Sequence, residues 1–178
     1  GDDVRVLSFN YDHSIISVGT VSKYNIVYNG LTGAEIWNDL GERRYGNSLS
    51  DDGSWLATIS SEPNSLEVYS TSSATPVMHN LLDYLPGGSG NEIDMSGDGH
   101  YIIVYESDEH LHIFYDGNDG WDQTDSNPIL SRAVGCDCEV QISSGGTYAW
   151  TEENFQTLNY AKVPTSTNSY NHDDPIYD

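Results

Sequence analysis

The stretch Ser50-Asp51-Asp52-Gly53-Ser54-Trp55-Leu56-Ala57 decides how the chain reads. Two aspartates and a glycine between short apolar runs make a tight turn, because glycine enters the positive-φ region without steric cost and aspartate bonds its own backbone. Extended outward, NSLSDDGSWLATI (47–59) is a polar turn joining two β-type runs.

The same pattern recurs in VRVLSFNYDHSIISV (4–18), EIDMSGDGHYIIVY (92–105) and EVQISSGGTYAWT (139–151). With His13, Gly53, Gly99 and Gly146 as equivalent turn residues, the spacings are 40, 46 and 47 residues. That is the period of a repeat protein built from small sheets. His13 is the departure, since the other three turns carry glycine there. A third β-type run follows each turn: YNIVY (24–28), SLEVY (65–69), HLHIFY (110–115) and TLNY (157–160). A fourth, less regular run appears in GAEIWNDL (33–40), TPVMHNLL (75–82) and NPILSR (127–132).

These runs predict an all-β, β-propeller-like fold of four blades, each an antiparallel four-stranded sheet, with almost no helix. A small twisted sheet has two faces to cover and covers them by stacking on its neighbours. The units span about 1–45, 46–90, 91–137 and 138–163, and the tail 164–178 is expected to close the ring as an outer strand or to act as an exchanged arm. Two arrangements stay open: a closed ring of four blades, or an arc completed by a partner.

Residues 50–57 followed by Ser65-Leu66-Glu67-Val68-Tyr69 resemble the S-x-D-G-x-x-L-A and V-x-V-W/Y pattern of WD-repeat and quinoprotein-like propeller blades. Phe114-Tyr115-Asp116-Gly117 leading to Gly120-Trp121 is similar to blades of that broad superfamily. The resemblance covers about residues 4–160 and implies a fold, not an activity. The Trp-Asp and Gly-His signatures of true WD repeats are missing.

The chain has 178 residues with 28 acidic and 6 basic, a net charge of −22. Nucleic-acid binding depends on Lys and Arg releasing counterions from phosphates, so nucleic acid is excluded as a partner, as are anionic membranes. Membrane insertion is not expected either, for no run approaches the ~20 apolar residues of a span. The acidity is spread along a chain with 13 Tyr and 4 Trp, which describes a folded acidic surface. Such a surface suits concentrated salt or calcium-rich surroundings, where self-repulsion is screened, and the expected location is extracellular or the cell surface.

The densest chemical signal is Asp116-Gly117-Asn118-Asp119-Gly120-Trp121-Asp122, extended by Asp125. Oxygen ligands at alternate positions around a glycine turn are what Ca²⁺ takes from a loop, making Asp116, Asn118, Asp119, Asp122 and Asp125 the candidate metal ligands. The run resembles the D-x-N-x-D-G-x-x-D calcium loops between propeller strands but is one residue short between Asn118 and Gly120. The competing reading, which the short spacing favours, is a turn whose side chains cap their own backbone.

His110 and His112 share one strand face. The corresponding residue of the second unit, Glu67, makes a solvated face the expectation. Cys136 and Cys138 would also share a face if extended, too far apart for a disulfide. Asp51, Asp52 and Asp98 read as turn formers. The chain carries no G-x-S-x-G, P-loop, H-E-x-x-H or paired C-x-x-C motif.

The function expected is therefore a non-enzymatic extracellular or cell-surface interaction or structural module, self-assembling or binding a protein or glycan, with a homo-oligomer expected. The rival is a small Ca²⁺-dependent propeller hydrolase or lyase acting on a sugar, lactone or phosphate ester. No catalytic residue is singled out.

Overall fold

The computed structural model describes residues 3–21, 24–40, 44–61, 64–82, 93–106, 110–133, 140–153 and 157–162. The tail 164–178 and the pair Cys136/Cys138 lie outside these residues. The first sheet holds β1 (Val4–Phe9), β2 (Ile15–Thr20), β3 (Tyr24–Asn29) and β4 (Glu35–Leu40). The second holds β5 (Arg44–Leu49), β6 (Trp55–Ser61), β7 (Asn64–Ser70) and β8 (Met78–Leu81). The third holds β9 (Ile93–Met95), β10 (Tyr101–Glu106), β11 (His110–Tyr115) and β12 (Leu130–Ala133). The fourth holds β13 (Val140–Ile142), β14 (Tyr148–Glu153) and β15 (Thr157–Lys162). In each sheet consecutive strands pair antiparallel in chain order, so the architecture is that of stacked β-propeller blades. Three described blades have four strands and the fourth has three. The one helical element described is a 3₁₀ turn, Gln123–Ser126.

One turn, used four times, joins the first two strands of every blade. The residue three before the turn residue is Asn10, Ser50, Ser96 or Ser143. Its side-chain oxygen accepts from the amide of Ile15, Trp55, Tyr101 or Tyr148, at 2.9–3.0 Å. The turn residue itself donates its amide back to the carbonyl of that same residue. Asp12, Asp52 and Asp98 close the first three turns by accepting from the amides of Ser14, Ser54 and His100. At the turn position Gly53, Gly99 and Gly146 have φ of 71°, 78° and 64°, and His13 adopts 60°. The first turn therefore keeps the left-handed geometry without glycine.

Three apolar seams hold the blades together. Val27 and Trp37 of the first blade pack on Leu49, Leu56 and Tyr69 of the second. Ala57, Ile59, Leu66, Val68 and Met78 of the second meet Ile93, Met95, Ile102, Val104 and Phe114 of the third. Tyr101, Ile103, Tyr105, Leu111 and Ile113 meet Val140, Ile142 and Ala149 of the fourth. Because side chains alternate across a strand, one face of β10 serves the seam before it and the other the seam after it. This is why Tyr101–Glu106 is buried throughout.

The innermost strands are also tied by polar contacts. Ser8 Oγ accepts from Leu49 N at 3.2 Å. Asp94 Oδ1 accepts from Ser48 Oγ at 3.0 Å and its Oδ2 accepts from Ile142 N at 2.9 Å. Burial pushes the Asp94 carboxyl above its ordinary range despite these donors. Backbone bonds link successive turns, from Tyr11 N to Asp51 O, Asp51 N to Gly97 O, and Asp98 N to Ser144 O. Asp52 and Asp98 are turn formers as expected. Asp51 instead sends its Oδ2 over Gly97, where a Cβ would lie only 2.0 Å away, to accept from Ser144 Oγ at 2.7 Å.

Candidate functional site

The loop after β11 is a clasp across the seam between the second and third blades. Asp116 is fully buried, with its two carboxylate oxygens 3.0 and 2.9 Å from His100 Nδ1. Its Oδ1 also accepts from Asn118 N at 2.8 Å. Asn118, at φ 67°, donates its side-chain amide to Tyr115 OH. Asp119 donates its amide to the Asp116 carbonyl at 3.4 Å. Trp121 is buried in the seam and donates Nε1 to Gly99 O at 2.6 Å.

Asp122 and Asp125 cap the 3₁₀ turn reciprocally. Asp122 Oδ1 accepts from Thr124 N and Oγ1, both at 2.6 Å, while Asp125 Oδ2 accepts from Asp122 N at 2.8 Å. The Thr124 hydroxyl and amide hold the Asp122 carboxyl below its usual range, and burial raises that of Asp125. Gln123 bridges to β8 in both directions, donating to His79 O at 2.8 Å and accepting from His79 N at 3.0 Å.

Four of the five residues expected to ligate Ca²⁺ are thus turned to protein partners. Asp116 is turned inward onto a histidine, Asp122 and Asp125 face backbone donors, and Asn118 presents its donor end to Tyr115. Among the described residues no three His, Cys, Asp or Glu side chains are grouped to hold a metal ion.

On the other side of this clasp lies a cleft of ≈ 440 Å³ lined by Leu82, Glu106, His110, His112, Phe114 and Asn127, among others. Val104 faces His112 and Glu106 faces His110 across β10 and β11, so both histidines and Glu106 look toward the second blade. Glu106 is buried and His112 is 15% exposed, with His112 Nε2 at 3.4 Å from Glu106 Oε1. The rings of His110 and His112 stack at 6.2 Å. The solvated face expected from Glu67 is not found. Glu67 is itself largely covered and accepts from Tyr69 OH at 2.7 Å, because each blade face is roofed by its neighbour.

The first blade's leading face, the face it turns away from the second blade, differs. The position four residues before the turn holds Phe9, Leu49, Met95 and Ile142. The last three are 6%, 4% and 6% exposed, each covered by the preceding blade, whereas Phe9 is 49% exposed. Two residues earlier Leu7 is 51% exposed, against 8% for Ile93 and 4% for Val140. Leu7 pairs with Val18, Phe9 with Ile16, and Ile16 in turn with Tyr28, extending an apolar surface across three strands. Val4 and Tyr11 add exposed apolar area beside it. Contiguous apolar surface of this kind marks an interaction site more often than scattered exposed residues do. The repeat alignment held the signal for this face, since it shows an apolar residue at the same register in all four units.

No protein-family model matches the chain, and no curated protein sequence does. Solved structures do match. A chain of the mitotic checkpoint complex crystal structure superposes with a TM-score of 0.72 at 14% identity, over 93% of this chain and 49% of that one. Hydrazine synthase of Kuenenia stuttgartiensis superposes with a TM-score of 0.67 at 13% identity, over 89% of this chain and 46% of that one. The present chain spans about half the length of each. At such identities the likeness carries the β-propeller fold and no particular chemistry.

Proposed function

We propose that this chain is a non-enzymatic protein-interaction module working outside the cell or at its surface. The observation that carries the reading is the apolar leading face of the first blade, in which Phe9 stands half exposed at a position that is buried in the other three blades, with the half-exposed Leu7 beside it. The charge of −22 supports a salt-rich setting, since screening relieves self-repulsion there. In that setting the thermal midpoint rises with added NaCl.

The reading is tested by replacing Phe9 with a photo-reactive phenylalanine analogue and, as a control, placing the same group at the exposed Ser72. A protein adduct of discrete mass formed at position 9 and not at position 72 is the expected result. Equal capture at both positions, or none at position 9, overturns it.

The Glu106–His112 couple in its cleft favours a second reading, the hydrolase or lyase, because a carboxylate beside an imidazole can pass a proton. Chromogenic glycosides, lactones and phosphate monoesters, each offered with and without millimolar Ca²⁺, decide between the two. Turnover abolished by Glu106→Gln would replace the interaction reading. A thermal midpoint unmoved by Ca²⁺ or chelator is expected if the 116–125 loop holds itself together by its own hydrogen bonds.

A further inference from the structure

We infer that the seam between the first and second blades parts reversibly in the folded chain and lets water between the two sheets, while the seam between the second and third blades stays shut.

The blades share one register, so their seams compare position by position. Six residues before the turn residue, the second, third and fourth blades carry Asn47, Ile93 and Val140. Four residues after it, the blades they stack on carry Ser17, Ala57 and Ile103. Two residues further on stand Gly19, Ile59 and Tyr105, whose cross-strand partners are Asn25, Leu66 and Leu111. The second seam therefore meets through Ala57, Leu66 and Ile93, and the third through Ile103, Leu111 and Val140. At the same places the first seam has Ser17, Asn25 and Asn47. Asn47 Nδ2 donates to Ser17 Oγ at 3.0 Å, and Ser17 Oγ donates to Asn25 Oδ1 at 3.4 Å. Ser17 and Asn25 are fully buried. Asn25 Nδ2 and Asn47 Oδ1, both buried, meet no hydrogen-bond partner among the described residues.

Parting the second seam puts apolar side chains into water, at a cost that grows with their area. Parting the first exposes a polar middle. The two bonds of Ser17 are exchanged for bonds to water at small net cost, and amide ends that are costly while buried and unanswered gain partners. The apolar part of the first seam is also smaller among the described residues. It has five buried members, Val27, Trp37, Leu49, Leu56 and Tyr69, against twelve in the second. Trp37 Nε1 donates across the first seam to Thr71 O at 2.7 Å, and Leu49 N to Ser8 Oγ at 3.2 Å, but water replaces bonds of this kind as it does those of Ser17. The second seam carries the clasp in addition, with Trp121 buried in it and Gln123 holding His79 in both directions. Regions with the fewest buried apolar contacts open first.

Two valines at one register position report on the two seams. Val27 and Val68 are the cross-strand partners of Ser17 and Ala57, both are fully buried, and neither belongs to the polar trio. Val27→Cys and Val68→Cys are labelled with iodoacetamide in native buffer, and the rate is read by mass on the peptide that holds the new cysteine, so that Cys136 and Cys138 do not enter. Val27→Cys is expected to react about tenfold faster or more. The triple change Ser17→Ala, Asn25→Leu and Asn47→Ile gives the first seam a dry middle. In the Val27→Cys background it is expected to slow labelling to the Val68→Cys rate, with an unchanged far-UV spectrum. Equal rates for the two single cysteines, or a faster Val68→Cys, overturn the inference whether or not the triple variant folds. Fast labelling at position 27 that persists in a folded triple variant also overturns it, because the polar trio would then have no part in the opening.

Discussion

The seam between the second and third blades and the leading face of the first are built from the same register positions with opposite outcomes. Met95 and Phe9 both sit four residues before the turn, both are large and apolar, and one is buried where the other is half exposed. Side-chain character at this position belongs to the repeat, while burial belongs to whatever stacks in front. An exposed phenylalanine here is therefore a residue at a seam position over which no blade stacks among the described residues, which sets it apart from an incidental surface residue.

The comparison is sharpest in a pair of truncations. Met95→Ala removes a side chain from a seam it shares with Ile93, Ile102, Val104 and Phe114. It is expected to lower unfolding stability by about 2–4 kcal/mol. Phe9→Ala in the single-chain particle is expected to cost less than about 1 kcal/mol, because much of the ring is already in water. Urea titration of both variants measures the gap. Equal losses would mean that the first blade's face is covered in solution even in one chain.

A smaller effect, from polar contacts, is expected at Asp94. Its carboxylate links the second, third and fourth blades through Ser48 Oγ and Ile142 N. Asp94→Ala leaves those donors unanswered at a cost of about 1–3 kcal/mol. The equivalent residue of the first blade is Ser8, which accepts one bond, from Leu49 N, so Ser8→Ala is expected to cost less. A larger loss from Ser8→Ala than from Asp94→Ala would reverse the ranking of the seams.

Much of this architecture could be read before any coordinates, because the turn imposes strong local demands. Four short polar turns at a 40–47 residue period, two of them Asp-Gly (Asp52-Gly53 and Asp98-Gly99), located every first hairpin, and the period-two runs placed the strands to within a few residues. Even the irregular His13 aligned correctly. What could not be read is whatever depends on which face meets which. The Gln123 bridge to His79 spans 44 residues, and nothing near either residue announces it. The 116–125 loop has the composition of a cation site, yet the carboxylates of Asp116, Asp122 and Asp125 point to backbone donors and to His100, a direction that composition does not carry. Glu67 pointed to a solvated face because a polar residue on a strand usually faces water. Here a neighbouring blade covers it and Tyr69 OH answers its carboxylate.

The turns themselves offer a comparison within the repeat. Gly99 has φ 78°, and an added Cβ would lie 2.9 Å from Trp55 Cδ1, so conformation and space both resist a side chain. Gly99→Ala is expected to cost about 1–2 kcal/mol from the left-handed backbone alone. His13 already bears that strain, with no blade packed in front of it among the described residues and its ring meeting Phe9 edge-on at 5.7 Å. His13→Gly is expected to leave thermal stability at or above that of the parent. A clear loss would show that the Phe9–His13 contact outweighs the backbone strain.

The smallest expected effect separates the turns by charge. Partial burial pushes the Asp52 carboxyl up, but the bonds from Ser54 and Ser50 outweigh it and hold the group below its ordinary value of 3.8. A carboxyl whose folded pKa is depressed stabilises the fold above its unfolded pKa, and that contribution is lost as pH falls through the folded value. The fourth turn has Gly145 where Asp52 stands in the second and can contribute nothing of this kind. Asp52→Asn should therefore lower stability near neutrality by a fraction of ~1 kcal/mol, discounted for solvent screening. The difference from the parent should shrink as pH drops below 3.8. Urea midpoints of parent and variant across that range measure it. A difference that stays constant with pH would show that the turn is held by hydrogen bonding that asparagine loses at every pH, and that the charge of Asp52 adds nothing.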